Sequence, residues 1–78
     1  MRVVCQVLKL VSEKQIRENR VINVATIARE TGLSRLTVGS WLRDEIKRFD
    51  EESIVAFCQY FECGIGDLLV LEKDETES

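Results

Sequence analysis

At 78 residues the chain has room for one small domain with a thin core, because a chain of this size buries only about 60% of the surface it exposes when unfolded. Its 45% hydrophobic and 32% charged residues, with no proline and four glycines, exclude disordered and collagen-like classes and disfavour turn-rich all-β ones. The net charge of −3 speaks at first against nucleic acid, but residues 1–48 carry +5 and residues 49–78 carry −8, and salt screens charge beyond about 8–10 Å, so a basic face can still meet a polyanion.

Val4, Val7, Leu8 and Val11 stand at i, i+3, i+4, i+7, which predicts a first amphipathic helix within residues 3–18. Val3 and Val4 are β-branched, so a short N-terminal strand is the alternative there. Glu18-Asn19-Arg20 reads as a turn and Val21-Ile22 as briefly extended. Three helix starts then share one pattern, a capping residue with an apolar residue just before it and another four positions after it. Asn23, between Ile22 and Ile27, opens a helix over about 24–31 that buries Val24, Ile27 and Ala28. Ser34, between Leu33 and Val38, opens one over about 35–43. Asp50, between Phe49 and Ile54, opens one over about 51–61 that buries Ile54, Phe57, Cys58 and Phe61. Gly32 ends the second helix, since the left-handed conformation costs glycine little, and Gly64 marks the exit of the fourth. Ile65 to Leu69 predicts a short fifth helix, and Val70-Leu71-Glu72 an extended end that pairs with residues 2–4. The expected organisation is all-α with five helices and short terminal strands, a domain over 1–72 and an acidic disordered tail over 73–78.

Two short helices joined by a tight glycine turn make a helix-turn-helix. Ala28 is small where the second helix approaches the third, Gly32 makes the turn, Val38 packs into the crossing and Trp41 closes it. On the opposite face of the third helix, Arg35, Leu36, Gly39, Ser40 and Arg43 fall in one stripe. Arg35 suits a bidentate contact to guanine, Ser40 a hydrogen bond to a base edge and Leu36 a thymine methyl, while Arg43 reaches a base or a phosphate. Gly39 is about 1 kcal/mol worse than alanine inside a helix; bare backbone there would let the helix approach the groove floor, unless the residue is drift at an exposed site. Lys47 and Arg48 in the following loop suit phosphate contacts, which fix register without reading sequence, and Asn23 at the start of the second helix is a further phosphate candidate. The plain alternative for this stripe is a solvated face.

Positions 22–72 resemble the helix-turn-helix of phage Cro and repressor proteins, especially the small single-domain bacterial regulators of the XRE-like type. The resemblance is carried by Ile27-Ala28-Arg29-Glu30-Thr31-Gly32-Leu33-Ser34-Arg35, by Lys47-Arg48-Phe49-Asp50, and by Phe61-Glu62-Cys63-Gly64-Ile65-Gly66-Asp67-Leu68-Leu69. It implies a five-helix fold that binds in the major groove, base reading by Arg35, Leu36 and Ser40, and a phosphate contact at Thr37. Two features depart from the pattern. Val24 stands where the family often has a phosphate-contacting glutamine, and the segment from Lys14 to Val21 is longer than usual, so the first helix extends or its loop bulges.

Other classes find little support. The longest run without a charge, Ser53 to Phe61, is nine residues against about 20 for a membrane span, and the start of the chain does not read as a secretory signal. Three cysteines without an export signal point to the reducing cytoplasm, and they read as small core residues, since a structural zinc wants four paired Cys or His ligands and there is no histidine. No phosphate loop or nucleophile elbow occurs, so no enzyme, cofactor or small-molecule substrate is expected. The expected function is a sequence-specific transcription regulator of double-stranded DNA, acting as a homodimer on half-sites about 34–36 Å apart. The expected dimer contact lies at the chain ends, through Val3, Val70 and Leu71. The alternative is a protein-interaction module on the same fold, an antitoxin or adaptor, that sets its acidic C-terminal part against a basic partner.

Overall fold

A computed structural model describes residues 1–46 and 48–73. Along these the order is β1 (Arg2–Cys5), α1 (Val7–Glu18), α2 (Val24–Thr31), α3 (Arg35–Leu42), α4 (Glu51–Phe61), α5 (Ile65–Leu68) and β2 (Leu69–Glu72). Lys47 and most of the expected acidic tail, residues 74–78, lie outside the described residues.

The predicted caps form. Side-chain oxygens of Asn23, Ser34 and Asp50 accept from the backbone N–H groups of Thr26, Thr37 and Ser53 at 2.9, 3.1 and 2.9 Å. Each satisfies a donor that the first turn of a helix leaves unpaired. Gly32 ends α2 with φ of 82°. The exits of α1, α3 and α4 are also left-handed, but at Asn19, Asp44 and Glu62. The expected exit of α4 at Gly64 is therefore displaced to Glu62, and Gly64 instead precedes α5 in extended conformation.

The start of the chain corrects the helical reading of Val4. That residue belongs to β1, which pairs antiparallel with β2 in the register Arg2↔Glu72, Val3↔Leu71, Val4↔Val70, Cys5↔Leu69. The ladder pairs backbone groups that a helix would otherwise have to satisfy locally. α1 accordingly starts at Val7, its inward row is Val7, Val11 and Lys14, and Leu8 is exposed. At its other end α1 continues to Glu18, so the long segment after Lys14 is absorbed by helix up to that point. Lys14 buries its hydrocarbon stem and extends its ammonium to the Tyr60 carbonyl at 3.2 Å and to Glu18 at 2.6 Å.

The core gathers one fully buried side chain or more from every helix: Val7, Ile27, Val38, Trp41, Phe57 and Leu68. The Trp41 ring lies 4.9 Å from that of Phe57 and meets Phe49 edge-on at 5.7 Å. Phe49 is thus a partly exposed lid on Trp41. Ala28 packs against this core but stays half-buried. Cys5 ties the sheet to the end of α3: its N–H donates to Asp44 Oδ1 at 3.0 Å and its thiol to the Trp41 carbonyl at 3.3 Å. Burial pushes that thiol up to about 11.

A charged network ties the end of α1 to α2 and α4. Arg20 donates twice to Glu30, both at 2.9 Å, and once to Glu18 at 2.8 Å, while the Tyr60 hydroxyl also donates to Glu30. The turn before α2 is thereby fastened to the last turns of α2 and α4. Arg20 and then Tyr60, by their hydrogen bonds, hold the Glu30 carboxyl down at about 2.

Candidate nucleic-acid interface

The turn between α2 and α3 is held by Thr31, whose hydroxyl donates to the Ile27 carbonyl at 2.6 Å and accepts from the Leu33 N–H at 3.2 Å. Ile27 on α2 and Val38 and Trp41 on α3 are buried, so α3 is fixed from beneath and cannot roll without opening the core. This leaves the other face of α3 as a rigid, outward strip.

At its first turn Arg35 and Leu36 are exposed, Leu36 by 82%. An isoleucine, valine or leucine left wet is common on small proteins, but this one stands beside an unpaired guanidinium: among the described residues Arg35 has no ion-pair partner. Thr37 and Ser40 follow, both half-exposed. The Ser34 hydroxyl accepts from the Thr37 N–H and donates to Thr37 Oγ1 at 2.9 Å. Thr37 therefore keeps its own hydroxyl proton for an outside acceptor. Asn23 is in a similar state at the start of α2. Its Oδ1 accepts from the N–H and the hydroxyl of Thr26, which leaves its amide donors facing away from the cap.

Beside α3 lies a shallow depression of about 260 Å³ lined by Thr37, Ser40, Trp41, Glu45, Ile46, Arg48 and Asp50. The fold thus brings Arg48 of the following loop beside Thr37 and Ser40 of α3. Arg48 is exposed and, like Arg35, unpaired among the described residues. Asp50 contributes a carboxylate held below its ordinary range by the N–H and hydroxyl of Ser53. Arg35 and Leu36 lie at the opposite end of α3 from Arg43, which follows its last turn. Lys47 lies outside the described residues.

Gly39 corrects the expectation of bare backbone. It is buried, and a Cβ placed on it would meet the Arg43 guanidinium, with Nη1 at 3.1 Å. Arg43 in turn donates from Nε to Glu45 Oε2 at 3.1 Å. Sequence reading overlooks Glu45, because residues two apart do not face each other along a helix. The left-handed turn at Asp44 brings the pair together, and a non-glycine residue in that conformation leaves no mark in the sequence.

No described helix is long and apolar enough to cross a membrane. A family model described as the Cro/C1-type HTH DNA-binding domain matches residues 13–74, from the middle of α1 to just past β2. No curated protein matches the chain.

Proposed function

The chain belongs to the Cro/C1-type helix-turn-helix DNA-binding domain family, and from that premise we propose that it is a sequence-specific transcription regulator whose α3 reads double-stranded DNA in the major groove. The observation that carries this reading is the two-sidedness of α3: one face locked in the core by Val38 and Trp41, the other presenting Arg35 and Leu36 to solvent. Arg35 is assigned to a guanine, Leu36 to a thymine methyl, and Ser40 to a base edge. Arg43 is the fourth base-reading candidate. Asn23, Thr37, Lys47 and Arg48 are assigned to phosphates, which set register. The antiparallel β1–β2 pairing, which joins residues 2–5 to residues 69–72, supports domain limits of 1–72.

A module of this size gains affinity by pairing on a palindromic site. The sheet supports a homodimer, because among the described residues its two strands leave an unpaired edge on each side and Val3 and Leu71 are exposed. No catalytic step and no cofactor enters this function. The three free thiols suit a reducing cytoplasm, where DNA is also at hand.

A gel shift on genomic fragments at increasing salt tests the reading. Retention that weakens as salt rises, with some fragments outlasting others, is the expected result. A chain that retains no DNA at low salt but forms a stable complex with a basic protein in a pull-down is an antitoxin or adaptor instead.

A further inference from the structure

Gly39 lies in the interior of α3, where glycine is a poor helix former, yet it is not exposed. The three atoms nearest to a Cβ built on it all belong to Arg43: Nη1 at 3.1 Å, Cζ at 3.8 Å and Nη2 at 3.9 Å. The guanidinium lies across the helix in the space that a side chain at position 39 would fill. Its Nε–H donates to Glu45 Oε2 at 3.1 Å. Glu45 is itself placed by backbone, since its N–H donates to the Ser40 carbonyl at 2.9 Å across the left-handed Asp44. The Asp44 carboxylate accepts from the Cys5 N–H at 3.0 Å, which anchors this exit of α3 to β1.

We propose that Gly39, Arg43 and Glu45 form one base-reading unit, in which Glu45 is a positioning residue that aims Arg43 at a guanine. The inference rests on the reading of α3 as the major-groove helix. With Nε committed to Glu45, the Nη1 and Nη2 edge is the fork left to match guanine O6 and N7. Holding that fork before DNA arrives lowers the ordering cost of the contact. The same pairing explains an acidic side chain on a face meant for a polyanion: its charge is matched by Arg43, so it orients more than it repels.

The test uses the full chain, the duplex that it enriches from a random pool, and the single-base-pair variants of that duplex. Arg43→Ala and Glu45→Ala are each expected to lose about tenfold discrimination at one and the same base pair. The double variant loses no more there than Arg43→Ala alone. Gly39→Ala lowers discrimination at that base pair too, because its Cβ presses the guanidinium a few tenths of an ångström off its place, while its melting temperature rises, because the exposed Arg43 side chain can give and alanine is the better helix former. A misfolded variant cannot move those two readouts in opposite directions. Glu45→Ala raising affinity for every duplex alike would show a carboxylate that merely repels phosphate, and would overturn the inference. So would a preference that responds to Arg35→Ala but at no base pair to Arg43→Ala or Glu45→Ala, with the reading of α3 left standing. A wild-type chain that enriches no sequence overturns both.

Discussion

Arg48 and Arg35 are both exposed guanidinium groups without an ion-pair partner among the described residues, yet they stand in different mechanical settings. Arg35 is on a helix whose underside is locked, whereas Arg48 is on the loop that borders the depression beside Thr37 and Ser40. A loop cation beside the groove meets phosphate, so Arg48→Ala is expected to weaken cognate and scrambled duplexes about equally and to lower the salt slope by about one unit. Titration of both duplexes at several salt concentrations checks this; a loss confined to the cognate duplex would place Arg48 on a base. A second residue-scale prediction concerns acid. Glu30 sits at about 2 against an ordinary 4.5, so the stability its pairing contributes is present above about 4.5 and is lost as pH falls toward 2. The melting temperature should drop through that window, and Glu30→Gln should flatten part of the drop. Glu18 and Asp50, also held low, act in the same direction. If the variant and the wild type fall along the same curve, the Arg20–Glu30–Tyr60 network adds nothing.

Each element is set by its ends more than by its middle. Ser34 closes the first turn of α3, and Ser34→Ala should cost about 1 kcal/mol, or roughly 4–8 °C of melting temperature in a chain this small, read by thermal circular dichroism. Trp41→Ala, which empties the centre where α3 meets α4, should cost about 3–5 kcal/mol and leave little folded protein. A Trp41→Ala chain that melts like the wild type would mean that α3 is not fixed from beneath. The element starts are legible in the sequence because a cap is local chemistry: Asn23, Ser34 and Asp50 bond within three residues of themselves, and Gly32 marks its left-handed turn by lacking a Cβ. What is decided by distant partners is not legible. Val4 fits a helical stripe, but Val70, far along the chain, claims it for a ladder, and Leu8 is then turned to solvent. Lys14 reads as surface because its charge is visible in the sequence, while the carbonyl of Tyr60 that lets its stem be buried is not. Of the candidate site, the outward position of Arg35, Leu36 and Ser40 follows from helical spacing once Val38 and Trp41 are assigned to the core, whereas Thr37 comes from the family resemblance alone. The cover over Gly39 does not, since it depends on the backbone turn at Asp44 that returns Glu45 to Arg43.

On the scale of the whole molecule, the uneven charge and the open sheet belong together. The basic residues fall mostly before position 49 and the acidic ones after it, so a net −3 chain still carries +5 over its first 48 residues, the stretch that holds α2 and α3. Among the described residues the sheet leaves β1 and β2 each with a free edge and keeps Val3, Val70 and Leu71 at least partly in water. Pairing two copies through such an edge would cover them and set two α3 helices on one duplex. Sedimentation is expected to show a dimer at high micromolar concentration or on DNA, and a Val3→Lys, Leu71→Lys chain to stay monomeric; a wild-type monomer under both conditions would remove the dimer from the account. The central claim is that the outer face of α3 reads base sequence, and the most direct measurement is selection from a random duplex pool carried out in parallel with the wild-type chain and with Arg35→Ala. The account predicts a defined motif for the wild type, and for the variant the same motif with preference relaxed at one base pair and at its dyad mate, a loss of about 1–3 kcal/mol of discrimination. Two identical motifs, or no enrichment by the wild type, would contradict it.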